Sequence, residues 1–61
     1  MMLKLTLHDD REIAINTDKI MHITVTQDDE TGATYSRVFL GKEQNVDVTE
    51  SLDHIIEKVS G

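Results

Sequence analysis

"VTESLDHIIEKVSG", residues 48–61, is the stretch that decides the fold. Leu52, Ile55, Ile56 and Val59 stand at i, i+3, i+4 and i+7, an apolar stripe along one side of a helix. Thr49 is placed to cap its start, Glu50 suits the positive end of the helix dipole, and Gly61 is placed to end it. A helix of about 11 residues is too short to stand alone in water, so the stripe must dock on something.

The rest of the chain offers one apolar partner, the inward faces of a run of short strands. "MLKLTL", residues 2–7, alternates, with Leu3, Leu5 and Leu7 on one side and Lys4 and Thr6 on the other. Asp9-Asp10 reads as a tight turn into "EIAIN", residues 12–16, where Ile13 and Ile15 share a face. "NTD", residues 16–18, is a second turn. In "KIMHITVT", residues 19–26, Met21, Ile23 and Val25 share a face and Ile20 falls out of phase. A bend or bulge is therefore expected at the start of that strand. "QDDETGA", residues 27–33, is a polar loop in which Gly32 is free to take positive φ. "TYSRVFLG", residues 34–41, is a fourth strand, "GKEQ" a further turn, and "NVDV", residues 45–48, a last short strand with Val46 and Val48 inward. The expected architecture is α+β, one domain spanning residues 1–61. It is an antiparallel β-meander of four to five short strands with the C-terminal amphipathic helix packed on one sheet face, curled toward a half-barrel.

Composition limits the functions. With 61 residues and no cysteine, disulfides and thiolate metal sites are excluded, and nothing argues for an oxidising compartment. The core must be aliphatic, since Tyr35 and Phe39 are the sole aromatics. A net charge of −6 with scattered basic residues opposes binding to nucleic acid and to anionic membranes. No stretch approaches a membrane span, and "MMLKLTLHDD" lacks the apolar core of a secretion signal, so a cytoplasmic location is expected.

The chemistry-bearing residues do not assemble into a motif. Asp28, Asp29 and Glu30 sit side by side, without the ligand spread of a calcium loop. His8, His22 and His54 show no metal spacing, and His54 has Glu50 and Lys58 four residues to either side. Ser36, Ser51 and Ser60 lack a nucleophile elbow, and Gly32, Gly41 and Gly61 form no phosphate cradle. The expectation is a non-enzyme with no cofactor and no metal site.

The fourth strand is more informative. Val38 and Leu40 share a face with Thr34 and Ser36, while Tyr35, Arg37 and Phe39 share the other. If the helix covers the Val38 face, Tyr35, Arg37 and Phe39 form a candidate interaction surface, as such residues are enriched at interfaces. If the phase is inverted, Phe39 is core and Val38 lies outside. The thin core and the two aromatics on one strand also predict a homodimer.

"LKLTLHDDREIAINTDKI", residues 3–20, and "GKEQNVDVTESLDHIIEKV", residues 41–59, resemble the small flagellar protein family known as FlbD or SwrD. The resemblance rests on Lys4-Leu5-Thr6, Ile15-Asn16 and Val48-Thr49-Glu50-Ser51. The chain departs from the family pattern at Asp9-Asp10, in the length of the loop at 27–34 and in its acidity. The resemblance implies a small non-enzymatic cytoplasmic protein linked to flagellar function and motility. The first functional reading is therefore a protein–protein interaction module in that setting. The alternative is a phage or prophage accessory protein that binds a host or phage protein.

Overall fold

A computed structural model describes residues 1–60. Five antiparallel strands run in chain order before one helix: β1 (Met2–Thr6), β2 (Glu12–Asn16), β3 (His22–Gln27), β4 (Thr34–Phe39), β5 (Asn45–Val48) and α1 (Leu52–Ser60). The fold is α+β. The strands divide into a two-stranded sheet, β1–β2, and a three-stranded sheet in the order β3–β4–β5. The two sheets meet at a single bridge, Leu7 with Val48. Beside it the Thr49 N–H donates to the Thr6 carbonyl at 2.9 Å.

Each turn has a local cause. Between β1 and β2 the Leu7 and Arg11 main chains pair, the Asp10 N–H donates to the Leu7 carbonyl, and Asp10 takes φ 70°. This is a three-residue hairpin loop whose last residue is left-handed. Asn16 accepts from the Asp18 N–H and starts a 3-10 turn over Thr17–Lys19. That turn supplies the bend expected at Ile20, and just after it both Met21, whose N–H donates to the Phe39 carbonyl at 2.8 Å, and His22 face Phe39, two residues against one as in a bulge. Between β3 and β4 the chain closes where the Asp28 N–H donates to the Ala33 carbonyl and the Gly32 N–H to the Asp28 carbonyl. Gly32 sits there at φ 74°, a conformation that costs glycine little.

The core lies between the two sheets and under the helix. Leu3, Leu5, Ile15, Val38, Val48 and Ile55 are buried, and Leu7, Ile13, Ile20, Ile23, Leu40 and Val46 pack around them half-buried. The inward phase of β1, β2, β4 and β5 agrees with the alternation in the sequence.

Three expectations require correction. The helix starts at Leu52, and its cap is Ser51, whose Oγ accepts from the His54 N–H at 3.1 Å. Thr49 lies two residues before that cap, in the bend that follows β5, where its N–H donates to the Thr6 carbonyl. Glu50 likewise lies outside the helix, so no helical i, i+4 contact joins it to His54. Second, the apolar stripe is only partly covered. Ile55 is fully buried and Leu52 half-buried, but Ile56 and Val59 are 49% and 43% exposed. In the nine-residue helix only Ile55 is fully enclosed, while Ile56 and Val59 line an open groove with Ile20 and Ile23. Third, of the Met21, Ile23 and Val25 row only Ile23 is half-buried; Met21 and Val25 remain 64% and 58% exposed. They lie on a sheet edge that the helix does not overhang. The expected role of Gly61 in ending the helix falls outside the described residues.

Candidate interaction surface

The outer face of the three-stranded sheet is assembled by register. β4 is the central strand. Its pairing places His22 opposite Phe39, Thr26 opposite Tyr35, and Arg37 between Thr24 on one side and Asp47 on the other. Ser36 and Val38 point inward and are buried, so Tyr35, Arg37 and Phe39 project from the face away from the helix. All three are half-buried, because neighbouring strands cover their flanks.

Each is held by a specific contact. The Phe39 ring stacks on the His22 imidazole with centroids 4.2 Å apart and planes 20° from parallel. Arg37 donates through Nε to Asp47 Oδ1 at 2.8 Å and through Nη2 to Oδ2 at 3.3 Å, a forked pair across two strands. The bond to Asp47 is the main cause that raises the guanidinium above its already high pKa. Nη2 also reaches the Tyr35 hydroxyl at 3.4 Å, and the Arg37 head lies 6.0 Å from the Tyr35 ring centre, at the limit of a cation–π contact. His8, from the first turn, meets the Tyr35 ring edge-on at 5.5 Å. The result is an uncharged-on-balance strip in which an acid cancels the one base. It can offer aromatic faces and a fixed guanidinium to a partner.

The remaining polar residues are committed elsewhere. Ser36 is buried and donates its hydroxyl to the Glu50 carbonyl at 2.7 Å, and Ser51 caps the helix. The Asp28 carboxylate accepts from the Glu30 N–H at 2.8 Å and from the Thr31 N–H, ordering its own turn. Among the described residues, no three of His, Asp and Glu come together to hold a metal ion. No helix of the described residues is long and apolar enough to cross a membrane.

Two features of the site differ from the reading of the sequence. His8 and His22 join the strip as aromatic partners, through contacts between residues distant in the chain. On the opposite flank, an open groove of about 210 Å³ lies between the helix and β3, lined by Ile20, Ile23, Ile55, Ile56 and Val59. The signal for it was present in the surplus of apolar residues in "KIMHITVT" over what one strand face needs.

Comparison with known proteins gives no match: no family model matches the chain, and no curated protein or solved structure matches it significantly.

Proposed function

We propose that this chain is a small non-enzymatic module that binds another protein through the outer face of β3–β4–β5. The observation that carries the reading is the Tyr35–Arg37–Phe39 row on the central strand, half-exposed and held by His8, His22 and Asp47. Side chains fixed before binding lose little rotamer entropy when a partner arrives, which favours affinity. Aromatic and arginine side chains dominate binding energy where they are central to an interface. The commitment of Ser36 and Ser51 to backbone groups supports a binding role over nucleophilic chemistry. The resemblance of residues 3–20 and 41–59 to the FlbD or SwrD family supports a cytoplasmic partner among flagellar proteins.

The test uses the purified chain as bait in an extract of a flagellated bacterium, beside a Tyr35→Ala/Phe39→Ala variant with an unchanged circular dichroism spectrum. A flagellar protein should be recovered by the wild type, and at least ~10-fold less by the variant, since losing a hot spot costs that much or more. Equal recovery by both, or recovery of no flagellar protein, rejects the reading.

A further inference from the structure

We infer that β3 is a self-pairing edge: two copies of this chain join antiparallel through His22–Gln27 and make one continuous sheet. This goes beyond the outer-face reading and stands independently of it, because it uses the strand's edge and not its face.

β3 ends the three-stranded sheet, with β4 on one side and, among the described residues, no strand on the other. The Asp28–Ala33 pair closes the β3–β4 hairpin with a main-chain hydrogen bond. Antiparallel alternation then assigns the inward bonds to His22, Thr24 and Thr26, and turns the N–H and C=O of Ile23, Val25 and Gln27 outward. Such a row is a template for another strand, and proteins usually guard it with charge, proline or a bulge. "HITVTQ" contains no Asp, Glu, Lys, Arg or Pro, and its six residues pair with β4 without interruption. The other edge of that sheet differs: β5 carries Asp47, and its last residue, Val48, is bridged by Leu7.

The occupant is a second copy because the strand is complementary to itself. Opposed residues in an antiparallel pair must project to the same side, so the two-fold axis must pass through a residue. An axis through Thr24 places Ile23 of each copy opposite Val25 of the other, and both have their main-chain groups turned outward. Each such pair exchanges both main-chain bonds. Exposed Val25 is then covered by Ile23 of the second copy, on the side of the sheet where Ile23 lines a groove with Ile56 and Val59. The strands themselves bring no charge together, so the chain's net charge of −6 does not oppose the contact at close range.

The experiment is light scattering on the full chain and on Val25→Lys, with amide hydrogen exchange of the unsubstituted chain measured across a concentration series. Val25 is exposed, so the substitution should leave the circular dichroism spectrum unchanged. The wild type should show twice the chain mass, and the variant should fall to one. The Ile23, Val25 and Gln27 amides should slow at least ~10-fold from low to high concentration, while the His22, Thr24 and Thr26 amides are protected throughout. A wild-type monomer with fast, concentration-independent exchange at those three amides overturns the inference. So does a dimer that survives Val25→Lys with the same three amides unprotected, which would place the contact on another surface. If the variant does not fold, the exchange series on the unsubstituted chain decides alone.

Discussion

The Glu50 carboxylate accepts the Thr6 N–H with both oxygens, at 2.9 and 3.0 Å, across 44 residues of sequence. Thr6 is the last residue of β1, at the point where the two sheets separate. A side chain there completes the hydrogen bonding that a neighbouring strand would otherwise supply. Burial alone would raise the Glu50 carboxyl, but donation from Thr6, with help from the charge of His54, brings it below its ordinary value of 4.5.

A pH dependence follows. A carboxyl lowered in the folded state stabilises the fold above its unfolded pKa, and that contribution is lost as pH falls through the folded value. The urea midpoint of the wild type should therefore drop between about pH 5 and pH 3 more steeply than that of Glu50→Gln, which has nothing to titrate there. Parallel curves for the two proteins would show that the Thr6 contact contributes nothing to acid stability.

Ser36 is the one buried polar side chain among the core residues, and its hydroxyl donates to the Glu50 carbonyl. Ser36→Ala removes the donor but little volume. It should cost about 0.5–1.5 kcal/mol, the net loss of one hydrogen bond at a half-buried carbonyl. Chemical denaturation of the two proteins measures the difference, and a neutral result would mean that water replaces the hydroxyl.

The stripe on α1 should divide sharply by position. Ile55→Ala should cost ~2–5 kcal/mol, because the side chain is completely enclosed and leaves a cavity. Val59→Ala, at a half-open position, should cost under ~1 kcal/mol in the monomer. Equal losses at the two sites in urea titrations would mean that the helix lies closer to β3 than described.

Two loop residues share a left-handed backbone but not a chemistry. Asp10 sits at φ 70° and Gly32 at φ 74°. Asp10→Gly should raise stability by up to ~1 kcal/mol by relieving the strain of a side chain in that region, and Gly32→Ala should lower it by ~1 kcal/mol or more. Thermal melts with shifts of opposite sign would bear this out; shifts of one sign would not.

Much of the fold was legible because alternation is a local signal. Leu3, Leu5, Ile15 and Val48 each declared their face through neighbours two residues away, whereas residues 34–41 carry apolar groups on both sides, so their phase stayed open until the structure placed Val38 inside and Tyr35, Arg37 and Phe39 outside. The helix start was misread because Thr49 and Ser51 are both acceptable caps in sequence. The structure separates them: Thr49 lies in the bend after β5, and it is the Ser51 Oγ that meets the His54 N–H. The half-open stripe has the same origin. The spacing of Leu52, Ile55, Ile56 and Val59 specifies a face but not how far the sheet extends beneath it. The stacking of His22 on Phe39 and the forked Arg37–Asp47 pair depend on cross-strand register, which the turns set and the strand sequences leave open.

The single bridge at Leu7 and Val48 has a kinetic consequence. The β1–β2 hairpin and the β3–β4–β5 meander are each built from contacts close in sequence, whereas the seam between them joins positions 6 and 7 to positions 48–50. Closing the longest loop last is the less costly order for chain entropy. The seam is then absent from the rate-limiting barrier, and weakening it at Glu50 accelerates the opening of the molecule while leaving its rate of formation nearly untouched. The lifetime of the native state, as distinct from the speed of reaching it, then depends on the seam at positions 6–7 and 48–50, where one bridge joins the hydrogen-bonded ladders of the two sheets.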